Sequence, residues 1–255
     1  PKILAFGKNM YKYQYVRGKV LSSILSVNLF KKLLLKLKIF WKITRLDVKK
    51  TKAFNKKCYK FYYLKTLQRI NMFYFQSKKH DQNNIINGTK IPKLSKLIKK
   101  INWSFISAGL PGRFHGDLHF ENIIFNKLKK KFTFLDWRQD FENDIVIGDI
   151  YYDLAKLMHG IIVSHDHVNK KRFIISWKKN IINFKIAQSK SHKNSLIFYE
   201  KWLAQNGYNI SKVRIITSLI YLNIAPLHHH PYSLFLYALG KSMLFAELNK
   251  IHNYK

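Results

Sequence analysis

The residues best suited to carry chemistry in this chain are carboxylates gathered in one short stretch. Thirteen of the 255 residues are acidic, and eight of these lie between positions 117 and 153: Asp117, Glu121, Asp136, Asp140, Glu142, Asp144, Asp149 and Asp153. The chain as a whole carries a formal net charge of +34, so a local concentration of negative charge suggests a local purpose. Holding a divalent cation is the simplest purpose, because Mg²⁺ and Ca²⁺ are bound by oxygen ligands.

The spacing predicts that three oxygen ligands converge. Asp117 and Asn122 are five positions apart on a loop that leads into a predicted strand at 123–125, and Asp136 follows a second predicted strand at 132–135. If these strands pair as a hairpin, Asn122 and Asp136 lie at the same end of it. Mg²⁺ takes one or two protein oxygens and leaves its other positions to water and phosphate. The pattern therefore predicts a site for phosphate chemistry.

The order of these motifs resembles that of the aminoglycoside phosphotransferase and choline kinase group, which shares the protein-kinase-like fold. The chain reads H-G-D from His115 to Asp117, Asn122 follows five positions later, and Asp136 comes after a strand. Protein kinases carry H-R-D-x-x-x-x-N and then D-F-G in these places. The segment 148–155 is similar to the G-D-x-x-x-D-L-A pattern that follows in the same group.

The resemblance implies a role for each of these residues. Asp117 would be the catalytic base that takes the proton from a substrate hydroxyl, while Asn122 and Asp136 would hold Mg²⁺ on the phosphates of ATP. The acceptor would be a small molecule with a hydroxyl group, such as a sugar, an amino alcohol or an aminoglycoside. Structural support of the site would come from His115, Asp149 and Asp153, with Asp149 bracing the catalytic loop.

The same resemblance implies the fold. We expect an α+β, predominantly helical chain that forms the large, C-terminal lobe of a protein-kinase-like fold with a small catalytic β-hairpin. Residues 1–19 are interpreted as the end of the small lobe and the hinge, where adenine would contact the backbone at Tyr15 and Val16, and residues 20–255 as the helical large lobe. The rest of a small lobe is expected to be absent, since the chain has no glycine-rich loop and no V-A-I-K-like strand.

Residue patterns predict the elements around the site. Leu29, Leu33, Leu34 and Leu37 recur at helical spacing with lysines between them, which is typical of a helix packed by one face against a core. Asp149 is expected to cap a helix that Gly160 ends. Further predictions are helices at 56–72, 92–100 and 150–158, several helices within 173–247 that bury Trp177 and Phe184, and a polar loop at 76–89.

Composition limits the other classes of function. The 40 lysines are spread along the whole chain and accompany abundant Asn, Ile, Phe and Tyr. This composition is typical of an AT-rich genome, and we prefer that explanation to a nucleic-acid-binding role. The single cysteine, Cys58, excludes an internal disulfide and fits the cytoplasm. The apolar run 215–227 falls short of the ~20 residues that span a bilayer, so no transmembrane segment is predicted.

Two alternative functions stay open. A catalytically inactive kinase-like module that binds a partner would explain the missing phosphate-pairing lysine. A metal-dependent phosphoesterase would use Asp117 and His119 together with the histidine-rich segments 165–167 and 228–230, although a loop of solvated histidines explains these segments more simply. The acidic loop Asp140–Asp144 would suit an aminoglycoside, but neither the acceptor nor the oligomeric state follows from the sequence.

Overall fold

The computed structural model describes residues 2–8, 10–164, 168 and 172–252, and its fold is α+β and predominantly helical, as predicted. The strands are β1 (Ile3–Phe6), β2 (Tyr11–Tyr13), β3 (Lys19–Val20), β4 (Asn84–Ile86), β5 (Thr89–Ile91), β6 (Pro111–Gly112), β7 (Ile123–Asn126), β8 (Lys131–Phe134), β9 (Gly148–Asp149), β10 (Phe173–Lys178) and β11 (Ile181–Ile186). The helices are α1 (Leu21–Ile24), α2 (Val27–Phe40), α3 (Val48–Tyr59), α4 (Lys65–Ser77), α5 (Leu94–Lys100), α6 (Trp103–Ser107), α7 (Ile150–Ile162), α8 (Lys190–Gln205), α9 (Ile210–Ile224) and α10 (Tyr232–His252).

Helix α2 confirms the prediction made from its leucine spacing. Its buried side chains include Leu33, Leu34 and Leu37, while the intervening lysines are exposed. The hydroxyl of Ser26 accepts a hydrogen bond from the Leu29 amide and so caps the helix. One face of α2 thus packs against the protein interior.

Helices α3 and α4 form one long element joined by a π-helical turn at Lys60–Leu64. The amide of Lys65 donates to the carbonyl of Lys60, five positions earlier. The predicted helix at 56–72 lies within this element. Asp47 begins the element, because its carboxylate accepts from the Lys50 amide at the N-terminus of α3.

The hairpin predicted from the motif spacing is present. Strands β7 and β8 pair antiparallel with Ile123 opposite Phe134, and β3 joins them as a third strand on the other side of β7. Gly18 allows this approach, because a Cβ there would lie 2.6 Å from the Ile124 side chain and 2.7 Å from the Phe125 carbonyl oxygen.

A second sheet corrects two predictions. The predicted polar loop at 76–89 contains β4, which turns through Asn87 and Gly88 to pair with β5, and the region predicted as helical from 173 begins with the hairpin β10–β11. The order in this sheet is β10-β11-β4-β5. Side chains along β10 alternate between half-buried and exposed positions, which is the period of a strand with one covered face.

The apolar residues of this hairpin still reach the core, but from strands. The Trp177 ring stacks on Tyr237 with ring centroids 5.4 Å apart, and Phe184 contacts Phe235 edge to face at 5.5 Å. Both partners belong to α10. The sheet therefore covers one side of α10, and the helical assignment of 173–186 was wrong because it weighed apolar content above alternation.

Three helices form the centre of the protein. Helix α9 packs against both α7 and α10, and α7 continues through Gly160 to Ile162, four residues beyond its predicted end at Met158. The window Ile210–Leu227 is apolar and long enough to cross a membrane, yet 67% of it is buried inside the protein. Burial of that kind is what the interior helix of a packed core requires.

Candidate active site

Asp153 holds the backbone of the loop that carries the H-G-D motif. Its buried carboxylate accepts hydrogen bonds from the amides of His115 (2.7 Å) and Gly116 (2.8 Å) and from the indole N–H of Trp41 (3.0 Å). Gly116 has a φ of +80°, a conformation that glycine adopts at no steric cost. Burial raises the pKa of Asp153 to about 6 despite these three donors. The carboxylate thus fixes the turn that precedes Asp117.

Asp149 anchors a different segment from the one that the resemblance implied. Its carboxylate accepts from the Leu110 amide at 2.8 Å, from the Tyr62 hydroxyl at 2.8 Å and from the Tyr151 amide at 3.1 Å. The last bond caps α7, as predicted. The bracing of the catalytic loop expected of Asp149 is performed by Asp153, one helical turn later, because only Asp153 faces the loop amides.

Asp117 lies in a network of opposite charge and hydrogen bonds. Lys156 on α7 places its Nζ 2.6 Å from Asp117 Oδ1, and His119 Nε2 lies 3.4 Å from Oδ2. The Asn122 side-chain amide donates to the same Oδ2 at 3.1 Å. Burial raises the pKa of Asp117, but the His119 hydrogen bond and the charge of Lys156 outweigh it and hold the pKa well below its usual range. Asp117 is therefore ionised throughout the physiological range.

His119 extends this network to Glu121. Its Nδ1 lies 2.9 Å from Glu121 Oε2. Burial lowers the pKa of His119, whereas hydrogen bonds to Asp117 and Glu121 raise it, and the net shift is upward. The order Glu121–His119–Asp117–Lys156 alternates in charge when the imidazole is protonated. Such alternation orients the Asp117 carboxylate.

Asn122 and Asp136 lie at the same end of the hairpin, as the spacing predicted. Asn122 directly precedes β7, and its carbonyl accepts from the Leu135 amide at 2.8 Å, next to Asp136. Asp136 is exposed and has a φ of +51°. Within the described ranges, neither the Asp136 carboxylate nor the Asn122 amide oxygen has a hydrogen-bond or ion-pair partner. These two oxygens beside Asp117 fit the donor set that Mg²⁺ takes from a protein.

His115 supports the loop as a neutral side chain. Its Nδ1 accepts from the Asp117 amide at 3.2 Å, and its ring packs on Trp137 with centroids 4.8 Å apart. Burial lowers the pKa of His115 to about 4. The guanidinium of the neighbouring Arg113 lies 4.9 Å from the centroid of the Phe40 ring.

Two cavities flank the end of the hairpin. One, of about 880 Å³, is lined by Tyr15 and Val16 together with Phe132, Phe134 and Trp137. The other, of about 460 Å³, is lined by Asp117 and Asp136 and by side chains from α4, α7 and α9. Asp136 and Trp137 are neighbours in sequence but line different cavities. The segment 136–137 therefore separates an aromatic cavity from a polar one.

The sequence interpretation missed Lys156, although a signal for it existed. Lys156 is three positions after Asp153 on α7, and residues three apart share one face of a helix. A residue three positions after one that faces the catalytic loop will face it too. The other cations of the smaller cavity, Lys65, Arg69 and Arg138, carried no such signal.

The histidines considered for a metal site are only partly described. Residues 165–167 lie outside the described residues. His228 packs on Tyr232 with centroids 4.9 Å apart and lines the smaller cavity, while His229 and His230 line another of about 530 Å³. No group of three or more His, Cys, Asp or Glu side chains suited to a metal forms among the described residues.

Comparison with known proteins agrees with the motif order. Residues 91–169 match the phosphotransferase enzyme family, which confirms the resemblance predicted from the motifs. No curated protein matches the chain. Among solved structures, an ethanolamine kinase of Plasmodium vivax is similar over 96% of this chain with 15% identity and a TM-score of 0.46, and the chain spans 66% of that enzyme's length. A similarity this weak carries no conclusion about activity.

Proposed function

We propose that this protein is a small-molecule kinase that transfers the γ-phosphoryl group of ATP to a hydroxyl group. The observation that carries the proposal is the position of Asp117. Its carboxylate is ionised, is held by Lys156, His119 and Asn122, and lines a cavity into which an acceptor could enter. The family of the segment 91–169 is one of phosphotransferases, in agreement with this chemistry.

In the proposed reaction, some of these residues position the acceptor hydroxyl and others neutralise the charge of the phosphates. Asp117 would accept a hydrogen bond from the acceptor hydroxyl, orient it and receive its proton as the new bond forms. A carboxylate with a low pKa orients the hydroxyl well and takes its proton late. Asn122 and Asp136 would hold Mg²⁺, and the bound ion would neutralise negative charge on the phosphates. His115, Asp149 and Asp153 would keep the loop and helix α7 in place.

The aromatic cavity is the proposed site of the nucleotide base. Tyr15 and Val16 line it opposite the rings of Phe132, Phe134 and Trp137, and flat aromatic walls suit a purine. From there the phosphates would reach Asp136 and Asn122 at the end of the hairpin. This assignment corresponds to residues 1–19 as the end of a small lobe and hinge and residues 20–255 as the large lobe of a protein-kinase-like fold.

Cytoplasmic location is part of the same proposal. Cys58, the single cysteine, is a buried free thiol. Such a residue does not depend on an oxidising compartment. ATP is also supplied in the cytoplasm.

The test is Mg²⁺-dependent release of ADP from ATP by the full-length protein in the presence of a pool of hydroxylated metabolites. Asp117→Asn and Asp136→Asn should each lower the rate about a hundredfold or more, because each removes a charge at the reacting phosphates. Asp47→Asn is the matched control, since this exposed residue caps α3 and lines neither cavity, and asparagine caps equally well.

Two outcomes would replace this function by another. Failure of the folded protein to bind ATP with Mg²⁺ would favour the inactive binding module. A tightly bound transition metal together with phosphate-ester hydrolysis in the absence of ATP would favour the phosphoesterase.

A further inference from the structure

We propose that the acceptor carries an anionic group, a phosphate or a carboxylate, and that the basic side chains of the smaller cavity bind this group. We call these four side chains the basic wall: Lys65, Arg69, Arg138 and Lys156. The inference rests on the proposed function in taking this cavity as the acceptor site. It goes beyond that function by naming the charge of the acceptor.

The basic wall is assembled from three parts of the chain. Lys65 and Arg69 are four positions apart on α4 and therefore lie on one face of the helix. Arg138 comes from the loop after β8. The ammonium of Lys65 lies 4.4 Å and the guanidinium of Arg138 lies 4.9 Å from the centroid of the same buried ring, Phe61. One aromatic side chain thus holds two cations at the edge of the cavity.

Three members of the basic wall lack an acidic partner. Over the part of the chain that the structure describes, no carboxylate lies within ion-pairing distance of Lys65, Arg69 or Arg138. Arg138 donates from Nε to the Asp140 carbonyl at 2.8 Å, which leaves the ends of its guanidinium for another ligand. The fourth member, Lys156, pairs with Asp117.

The acidic loop that suggested a cationic acceptor does not supply negative charge to this cavity. Glu142 pairs with Lys60 at 2.9 Å, and Asp144 pairs with Lys57 at 3.0 Å. Neither acid lines the smaller cavity. The carboxylates of Asp117, Glu121 and Asp136 do line the cavity. The aminoglycoside suggested by the sequence is therefore disfavoured only where its ammonium groups would meet the unpaired cations of the basic wall.

The cations of the wall repel one another. Burial and the neighbouring charges of Arg138, Arg69 and Lys156 together lower the pKa of Lys65 to about 8. An oxyanion placed among these groups would remove their repulsion and accept charge-assisted hydrogen bonds from several of them. The wall is thus prepared for a negative ligand.

His159 is an independent sign of a ligand in the same cavity. Both ring nitrogens are shielded from solvent and have no hydrogen-bond partner, although the ring lines the cavity. Burial holds the pKa of His159 well below its usual range, so the ring is neutral and offers one donor and one acceptor. A buried polar side chain without a partner is rare in folded proteins, and rotation of the ring towards the cavity would let an acceptor hydroxyl satisfy it.

The test is binding of four sugars: glucose, its C6-modified anions glucuronate and glucose 6-phosphate, and glucosamine, which carries an amino group at C2. Calorimetric titration of the full-length protein without nucleotide should show glucuronate or glucose 6-phosphate binding at least tenfold more tightly than glucose and glucosamine. The stronger of the two anions identifies whether the group is a carboxylate or a phosphate.

Two variants examine the basic wall directly. Lys65→Gln and Arg69→Gln should each reduce the preference for the anion over glucose about tenfold, since each removes a charge-assisted contact. Lys36→Gln makes the same change of charge on the exposed face of α2, outside the cavity, and should leave the preference unchanged. Equal binding of all four sugars, binding of none, or tighter binding of glucosamine would overturn the proposal.

The result is separable from that of the kinase test. Anion binding at the wall without ADP release from any acceptor would leave the anion site standing and remove the kinase function. ADP release with choline or an aminoglycoside as acceptor would support the kinase function and remove the anionic acceptor. If the basic wall binds only the nucleotide, Lys65→Gln should raise the KM for ATP and leave sugar binding unaltered. That result would also contradict the proposal.

Discussion

The ammonium of Lys156 lies 2.6 Å from the carboxylate of Asp117, although the two residues belong to different elements, helix α7 and the loop before β7. Lys156 is buried, and Asp117 is its ion-pair partner there. Burial lowers the pKa of Lys156, but Tyr152 and Asp117 raise it, and the net shift is upward. The pair is therefore charged on both sides, and the proposed base depends on a cation that helix α7 provides.

Replacing Lys156 by methionine should weaken catalysis by removing this cation while keeping the side-chain volume. The pKa of Asp117 should rise, so the acid limb of the pH profile of kcat/KM should move to higher pH, and kcat/KM at neutral pH should fall at least tenfold. The pH profile is the decisive measurement. A lower rate with an unmoved acid limb would show that Lys156 contacts substrate without controlling Asp117.

Asp153→Ala should be among the most destabilising substitutions in the chain. It would leave the indole of Trp41 and the amides of His115 and Gly116 without their acceptor in the interior. We expect the free energy of unfolding, from urea titration, to fall by about 3–5 kcal/mol. Asp136→Asn should change it by less than about 0.5 kcal/mol, because Asp136 is exposed and asparagine tolerates its positive φ. Equal effects of the two substitutions would contradict the anchoring role of Asp153.

His115 should make the protein less stable in mild acid. Its folded-state pKa of about 4 lies below the unfolded value near 6.5, so the unfolded chain binds the extra proton between these values. Stability from this group is present above pH 6.5 and is lost as pH falls towards 4. Between pH 7 and pH 5 the loss is about 2 kcal/mol.

The matched variant for this effect is His115→Asn, whose side-chain oxygen can still accept from the Asp117 amide. Urea titrations at pH 7 and pH 5 should show a smaller loss of stability in the variant. Asp153 contributes with the opposite sign, because its raised pKa favours the folded state as pH falls from about 6. That contribution is common to both proteins, so the difference between them isolates His115. Identical losses would refute the prediction.

Two glycines near the site should respond oppositely to alanine. A Cβ at Gly148 would overlap the ring of Phe114, and we expect Gly148→Ala to cost about 2 kcal/mol or more. A Cβ at Gly160 would meet the Phe120 nitrogen at 3.4 Å and His119 Cβ at 3.6 Å. Gly160→Ala should therefore raise stability by up to about 1 kcal/mol through its better helix propensity. Thermal unfolding of the two variants would distinguish these effects in one experiment.

The hairpin and the loop before it could be predicted from the spacing of their polar residues. Asn122 and Asp136 lie on either side of two short apolar strands, and the pairing of those strands follows from the alternation of side chains. The N-cap at Asp149 followed in the same way from its position before a helical pattern.

The second sheet was not predictable by the same reasoning. Strands β4 and β5 are three residues each and are joined by the turn at Asn87 and Gly88, so their surroundings indicate a loop. They form strands because β4 pairs with β11, almost a hundred positions later, and because the sheet packs on α10. Contacts so distant in sequence leave no local pattern.

The basic wall was hidden for another reason, which lies in the π-helical turn at Lys60–Leu64. In a regular helix, Lys57 and Lys60 would share a face with residues 64 and 68. The π-helical turn contains roughly one residue more than an α-helical turn. Lys65 and Arg69 therefore occupy the positions that residues 64 and 68 would have in a regular helix. Four basic side chains therefore follow one line along α3 and α4.

The loop after β8 pairs with only part of this row of basic side chains. Two of its carboxylates, Glu142 and Asp144, pair with the first two cations, and the last two cations line the cavity without an acidic partner among the described residues. The number of acids in one short loop thus sets how much positive charge remains for a ligand. A homologue with a longer acidic loop would cover the whole line and present a neutral cavity on the same scaffold.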